Sequence, residues 1–197
     1  VSDFQPECMN KNMSELMHYF SIASDYNILK AHLWLGKLYY EGKYIQKSIK
    51  KAICYYTLAS DLNDLQAQHT LGFIFSNDLI DIKKAIHYYS LAANHNYPQA
   101  LLNLGLIYHE GKYIECDIDK AIEYYTKAVE LNYPKAQNNL ANIYSHEKYN
   151  RLNINKAIYY YTLAAEKNII QAHKSLGDLY LKGKLIKQDI NKAIHHY

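Results

Sequence analysis

The stretch KAIEYYTKAVELNYPKAQ, residues 120–137, recurs in the same chain as KAIHYYSLAANHNYPQAL at 84–101 and as KAIYYYTLAAEKNIIQAH at 156–173. A second anchor, Ala followed four residues later by Leu and then by Gly or Ala, falls at Ala31, Ala67, Ala100, Ala136 and Ala172. Its steps are 36, 33, 36 and 36 residues, and Lys-Ala-Ile keeps the same rhythm at Ala52, Ala85, Ala121, Ala157 and Ala193. Periods of this size mark stacked supersecondary units that bury their apolar faces against their neighbours. The chain therefore reads as a solenoid of stacked units.

Two helical segments fit each unit. In the first, helix A, Ala100, Leu104, Ile107 and Tyr108 lie at i, i+4, i+7 and i+8 and form one apolar face. In the second, helix B, Ala121, Ile122, Tyr124, Tyr125 and Ala128 form a wider one, as a helix packed between two neighbours needs. Alanine at the contact points lets helix axes approach closely.

The punctuation repeats as well. Four residues before each helix B alanine stand Ser48, Asp81, Asp117, Asn153 and Asp189, all strong N-cap residues. Four residues before each helix A alanine stand Asn27, Asn63, Asn96, Asn132 and Asn168. Helix B must end there, and Asn is the non-glycine residue that best tolerates the left-handed conformation of a C-cap. Pro98 and Pro134 follow two residues later and open helix A. Gly42, Gly111 and Gly183 mark positive φ in the A-to-B loop. The fourth unit has Glu147 there, so its loop is either strained or rebuilt, and the second unit is three residues shorter and lacks the glycine.

This pattern, read as ALLNLGLIYHEGKYIECDIDKAIEYYTKAVELN and again as AHLWLGKLYYEGKYIQKSIKKAICYYTLASDLN, resembles the Sel-one-like repeat family, a relative of the tetratricopeptide repeats. The distance from the helix A glycine or alanine to the helix B alanine is 16 in four units and 13 in the second, which is nearer the tetratricopeptide length. One departure is Asn where the family commonly has Gly at the helix B C-cap. The resemblance implies an all-α fold, a right-handed superhelix of antiparallel helix pairs, in a single array: a half repeat at 12–27, then units at about 28–63, 64–96, 97–132, 133–168 and 169–197, the last one cut short. It also implies scaffold or adaptor roles, with a protein or peptide as partner.

Composition excludes little and motifs exclude more. Of the residues, 49% are hydrophobic and 21% charged, the net charge is +3, and lysines are interspersed with Asp and Glu. That is not the dense basic stripe of a nucleic-acid binder. No apolar run reaches the roughly 18 residues of a membrane span. Cys8, Cys54 and Cys116 make neither a disulfide framework nor a zinc pair, so no metal or cofactor is expected and a reducing, cytoplasmic setting is the default. The chain opens at Val1 without Met and stops at Tyr197 inside the motif, so it reads as a piece of a larger protein, and an ER-lumenal or secreted parent is compatible with it. Asn12-Met13-Ser14 would be a glycosylation sequon in such a parent.

No Gly-x-Ser-x-Gly or Ser-x-x-Lys nucleophile pattern occurs, and EGKY at 41–44 and 110–113 lacks the remaining parts of a phosphate loop. Five copies of Lys-Ala-Ile-x-aromatic at one register describe packing, not catalysis. The cysteine-rich, β-lactam-hydrolysing type of the resembled family carries paired cysteines that are missing here. A non-enzymatic module is expected.

In such arrays the A helices line the concave surface. At 100° per residue, the face opposite the core of the third unit is Leu102, Leu106 and His109. The equivalents are Leu33, Lys37 and Tyr40; His69, Phe73 and Ser76; Asn138, Asn142 and Ser145; and Lys174, Asp178 and Leu181. Phe73, Leu102 and Leu106 form an apolar strip with polar flanks, suited to an amphipathic helix or an extended peptide. The alternative is that curvature buries them. An architectural spacer or a self-associating array is the competing role.

Overall fold

Eleven helices, and among the described residues no strand, make up the computed structural model, which describes the backbone of residues 6–197 and the side chains of 13–197. The side chains of Cys8 and Asn12 lie outside the described residues. The helices are α1 (Pro6–Asp25), α2 (Leu29–Glu41), α3 (Ile49–Asp61), α4 (Leu65–Asn77), α5 (Ile82–Asn94), α6 (Pro98–Glu110), α7 (Ile118–Glu130), α8 (Pro134–Ser145), α9 (Ile154–Glu166), α10 (Ile170–Lys182) and α11 (Ile190–His196). The even-numbered helices are the A helices and the odd-numbered ones the B helices. The chain divides into two compact units, one up to His95 and the other Asn96–Tyr197.

Local chemistry sets the ends of the B helices. Ser48, Asp81, Asp117, Asn153 and Asp189 each accept a hydrogen bond from the backbone N–H three residues on, at 3.0–3.3 Å. Each therefore satisfies a donor that would otherwise be orphaned in the first turn. At the other end of the B helices, Asn27, Asn63, Asn96, Asn132 and Asn168 have φ of 56–60°. Asn63 N–H donates to Ser60 O at 2.8 Å and Asp64 N–H to Ala59 O at 3.1 Å, the doubled bond of a Schellman cap. Asn27, Asn132 and Asn168 build the same pair of bonds, so Asn does the work of the expected Gly.

The two irregular units differ in how they turn. In the fourth, the loop is rebuilt: a 3₁₀ turn spans Glu147–Tyr149, and Asn150, with φ 51°, takes the left-handed position. In the second, a β-branched residue, Ile80, is held at φ 53°.

One clamp recurs in all five pairs. The N–H of each helix B N-cap donates to the carbonyl of the helix A aromatic, Tyr39, Phe75, Tyr108, Tyr144 or Tyr180, at 2.8–3.0 Å. The ring of that aromatic stacks on the helix B ring three residues after the Lys-Ala-Ile alanine, Tyr55, Tyr88, Tyr124, Tyr160 or His196, with centroids 5.5–6.1 Å apart and planes within 12° of parallel. The ammonium of the Lys-Ala-Ile lysine sits 4.8–5.2 Å from the same helix A ring. At such half-exposed sites each cation–π contact contributes about 0.5–1 kcal/mol. The residue after that helix B ring turns inward in four of the pairs: Tyr56, Tyr89, Tyr125 and Tyr161 are buried, and burial pushes the Tyr56 hydroxyl up to about 12. The repeated motif is thus consumed by packing.

The core is a row of small and branched side chains. In the C-terminal unit, Ala141, Ala157, Tyr161, Ala164, Ala172 and Leu176 form one buried cluster. Within the N-terminal unit, Ala52, Ala59, Ala67, Leu71, Ile74 and Ala85 are fully closed to solvent.

Candidate partner-binding face

In the N-terminal unit α2 packs against α1 and α3, and α4 against α3 and α5. In the C-terminal unit α8 packs against α7 and α9, and α10 against α9 and α11. A helix held between two others keeps a narrower free arc than the half-cylinder that 100° geometry gives it. This decides where the expected face residues end up.

Within the N-terminal unit, Phe73 is 42% exposed, Lys37 is exposed, and Leu33, Tyr40 and His69 are half-buried. Tyr40 donates its hydroxyl to Asp78 Oδ2 at 3.1 Å, and the His69 ring is tilted against Tyr89 with centroids 5.5 Å apart. Ser76 donates to Phe73 O and stands 3.4 Å from the Tyr89 hydroxyl.

Within the C-terminal unit, Leu102 and Asn138 are buried, at 8% and 7% exposure, and Leu106, His109, Asn142 and Asp178 are half-buried. Lys174 and Leu181 are exposed. Leu102 therefore presents little surface, as the curvature alternative anticipated for it, while Phe73 stays in solvent. The Asn138 Oδ1 meets no hydrogen-bond partner among the described residues.

Several polar positions on this face hold tyrosine hydroxyls, those of the buried Tyr161 and Tyr125 and that of the exposed Tyr197. The Tyr161 hydroxyl donates to Asn142 Oδ1 at 2.5 Å, with Ser145 Oγ 3.2 Å away. Tyr197 donates to Asp178 Oδ1 at 2.6 Å. His109 stands between two tyrosines, Nε2 2.9 Å from the Tyr149 hydroxyl and Nδ1 3.4 Å from that of Tyr125. Burial and then the Lys148 ammonium hold His109 below the usual histidine range. A buried phenol needs a partner, and the A helix supplies one from the register that reads as variable. The signal for this was in the sequence: in the second, third and fourth units a polar residue, Ser76, His109 or Ser145, stands at the ninth position after the helix A alanine, within reach of the inward Tyr hydroxyl.

One surface residue escaped the periodicity argument. Trp34, the single tryptophan, lies one residue past the assumed face and is 50% exposed. Together with Leu33, Lys37, Tyr56 and Gln66 it lines a small open pocket of about 130 Å³.

Among the described residues no group of three His, Cys, Asp or Glu is arranged to hold a metal ion. No helix among them is long and apolar enough to cross a membrane. Cys54 and Cys116 are free and exposed.

Capped helix pairs repeated at a near-constant period, each locked by the same aromatic clamp, define an all-α helical-repeat solenoid. The chain belongs to the Sel1 repeat family, whose pattern matches residues 29–64, 66–97, 98–133, 134–169 and 170–197. Proteins of this family are generally modules of protein–protein interaction. Among solved structures, a Sel1 repeat protein from Oxalobacter formigenes is 27% identical over 97% of this chain and 85% of that one, with a TM-score of 0.77. Cysteine-rich protein B of Helicobacter pylori is 30% identical over 66% of this chain and 96% of its own, with a TM-score of 0.51. A protective antigen of uropathogenic Escherichia coli, c5321, shares the fold at 24% identity and a TM-score of 0.82, over 92% of this chain and 39% of that one. Comparison with the curated proteins returned no match.

Proposed function

We propose that this chain is a non-catalytic scaffold or adaptor module that holds a peptide or helix along the exposed face of its A helices. The observation that carries the reading is Phe73, a large apolar side chain left 42% exposed on a helix whose other apolar face is closed. Burying a side chain of that kind contributes roughly 1.5–3 kcal/mol before ordering costs. A spacer has no need of it. Leu33, Lys37, Tyr40, His69, Leu106 and Lys174 are the other contact residues of this reading. His109, Asn142 and Asp178 act in it mainly by holding the tyrosines behind them, and Leu102 and Asn138 by packing.

The experiment is affinity capture from cells that make the protein, with wild type and Phe73→Glu as baits matched for helicity and melting temperature. A partner retained by wild type and lost by the variant supports the reading. Identical capture by both baits, or none, favours a spacer or a self-associating array.

A further inference from the structure

We propose that the pocket beside Trp34 in the N-terminal unit takes an acidic peptide carrying one bulky apolar anchor; this deepens the interaction reading above and rests on it. The pocket's size sets the anchor. At about 130 Å³ it matches one ring or branched side chain, since cavities of roughly 150 Å³ hold benzene. Its walls are Leu33 and the indole of Trp34, and its floor is Tyr56, which is 7% exposed. The indole is held in place from behind by Phe20, stacked at 6.0 Å and 14° between planes. A fixed aromatic beside an apolar recess loses little side-chain freedom on binding, and tryptophan is the residue most enriched where interface energy concentrates.

Charge sets the rest of the ligand. Between Leu29 and Asp64 stand Lys30, Lys37, Lys43, Lys47, Lys50 and Lys51 against Glu41, Asp61 and Asp64, a balance of +3. The whole chain also carries +3, so the rest of it is neutral and the net positive charge belongs to the repeat that bears most of the pocket. At the rim itself, Lys37 Nζ lies 5.7 Å from the Trp34 ring centroid. Its ion pair with Glu41 is long, 3.7 Å, and both side chains are about half exposed, so the ammonium is available to a second carboxylate. Gln66 adds an exposed amide at the edge, able to meet a peptide backbone as donor and acceptor. Lys37 is the one charged residue lining the recess, and the net positive charge of the surrounding repeat steers a ligand of the opposite sign toward it.

The single tryptophan makes the test direct, because its emission reports this pocket and no other site. The full chain is titrated with three capped pentapeptides: a central Phe flanked by Asp and Glu, the same Phe flanked by Lys, and the acidic peptide with Ala at its centre. The expected result is a saturable change in Trp34 emission with the acidic Phe peptide, about tenfold tighter than with the Lys-flanked one and weakened by salt. The Ala peptide gives no saturation. Lys37→Glu lowers affinity for the acidic peptide about tenfold without changing the melting temperature, and Lys37→Arg restores it. Equal affinity for the acidic and Lys-flanked peptides overturns the ligand chemistry while leaving the pocket as a site. An oligonucleotide that binds more tightly than any of the three overturns it too. Silence from all three peptides removes the pocket itself; the wider interaction reading then stands or falls on Phe73 capture.

Discussion

The ring of Tyr89 lies against the backbone of Gly72 so closely that a Cβ built on the glycine would stand 2.5 Å from its Cδ1. Gly36 and Tyr56, Gly105 and Tyr125, and Gly177 and Tyr197 repeat the arrangement. Gly72→Ala therefore forces the ring or the helix to shift, and we expect it to lower stability by about 1–3 kcal/mol in urea unfolding. The fourth unit has Ala141 at this register, buried in one cluster with Tyr161. There the reverse change, Ala141→Gly, also destabilises, by about 1 kcal/mol through helix propensity. Stabilisation by Gly72→Ala would show that the close approach is not maintained in solution.

Ile80 offers a gain. A β-branched residue at φ 53° pays the steric penalty of the left-handed region, about 1–2 kcal/mol, and at 50% exposure it recovers little by burial. Ile80→Asn, the residue this chain uses at its other left-handed positions, is expected to raise stability by about 1 kcal/mol. A fall in the urea midpoint would contradict the strain.

The N-caps are separable from charge at Asn153, which accepts from Lys156 N–H at 3.1 Å. Asn153→Ala is expected to cost about 1 kcal/mol, and Asn153→Asp to stay near wild type. If both variants melt alike, the cap bond contributes nothing.

Acid should loosen the N-terminal unit through His32. Its ring is 1% exposed, with Nε2 2.9 Å from Asn27 Oδ1 and Nδ1 3.0 Å from Ser24 Oγ. The carboxamide oxygen only accepts, so Nε2 carries a proton, and in the neutral ring Nδ1 accepts from the serine hydroxyl. Burial holds its pKa below the ordinary 6.5. The native state then binds fewer protons than the unfolded one. The stability this contributes is full above the unfolded value and is lost as pH falls through 6.5 toward the folded value. Burial also lowers His69, His109 and His196, so the melting temperature should drop from pH 7.5 to pH 5.5 with several contributors. His32→Gln, which places at this register the residue found at 68 and 137, should flatten that slope. An unchanged slope would remove His32 from the list.

The fold was legible because its determinants are local. Asn63 and Asp117 announce a helix end and a helix start by their side-chain chemistry, and their spacing fixes the period. The candidate face was less legible because exposure is set by neighbours. The 100° argument placed Leu102 in solvent, where the structure buries it, and passed over Trp34 one position away. It also treated Asn142 and Asp178 as open to a partner, although each is the acceptor for a tyrosine hydroxyl, from Tyr161 in α9 and from Tyr197 just past α11. Such pairings link residues 19 apart, beyond the reach of a single-helix periodicity.

The central claim, that the A-helix face is where a partner sits, is tested most directly by photo-crosslinking in cells that make the protein. A photoreactive residue is placed in turn at Lys37 and Lys174 on A helices and at Cys54 and Tyr159 on B helices, all exposed positions. The account predicts discrete adducts from an A-helix position, abolished by Phe73→Glu, and none from the B-helix positions. Adducts only from Cys54 or Tyr159, or equal adducts from all four, would contradict it.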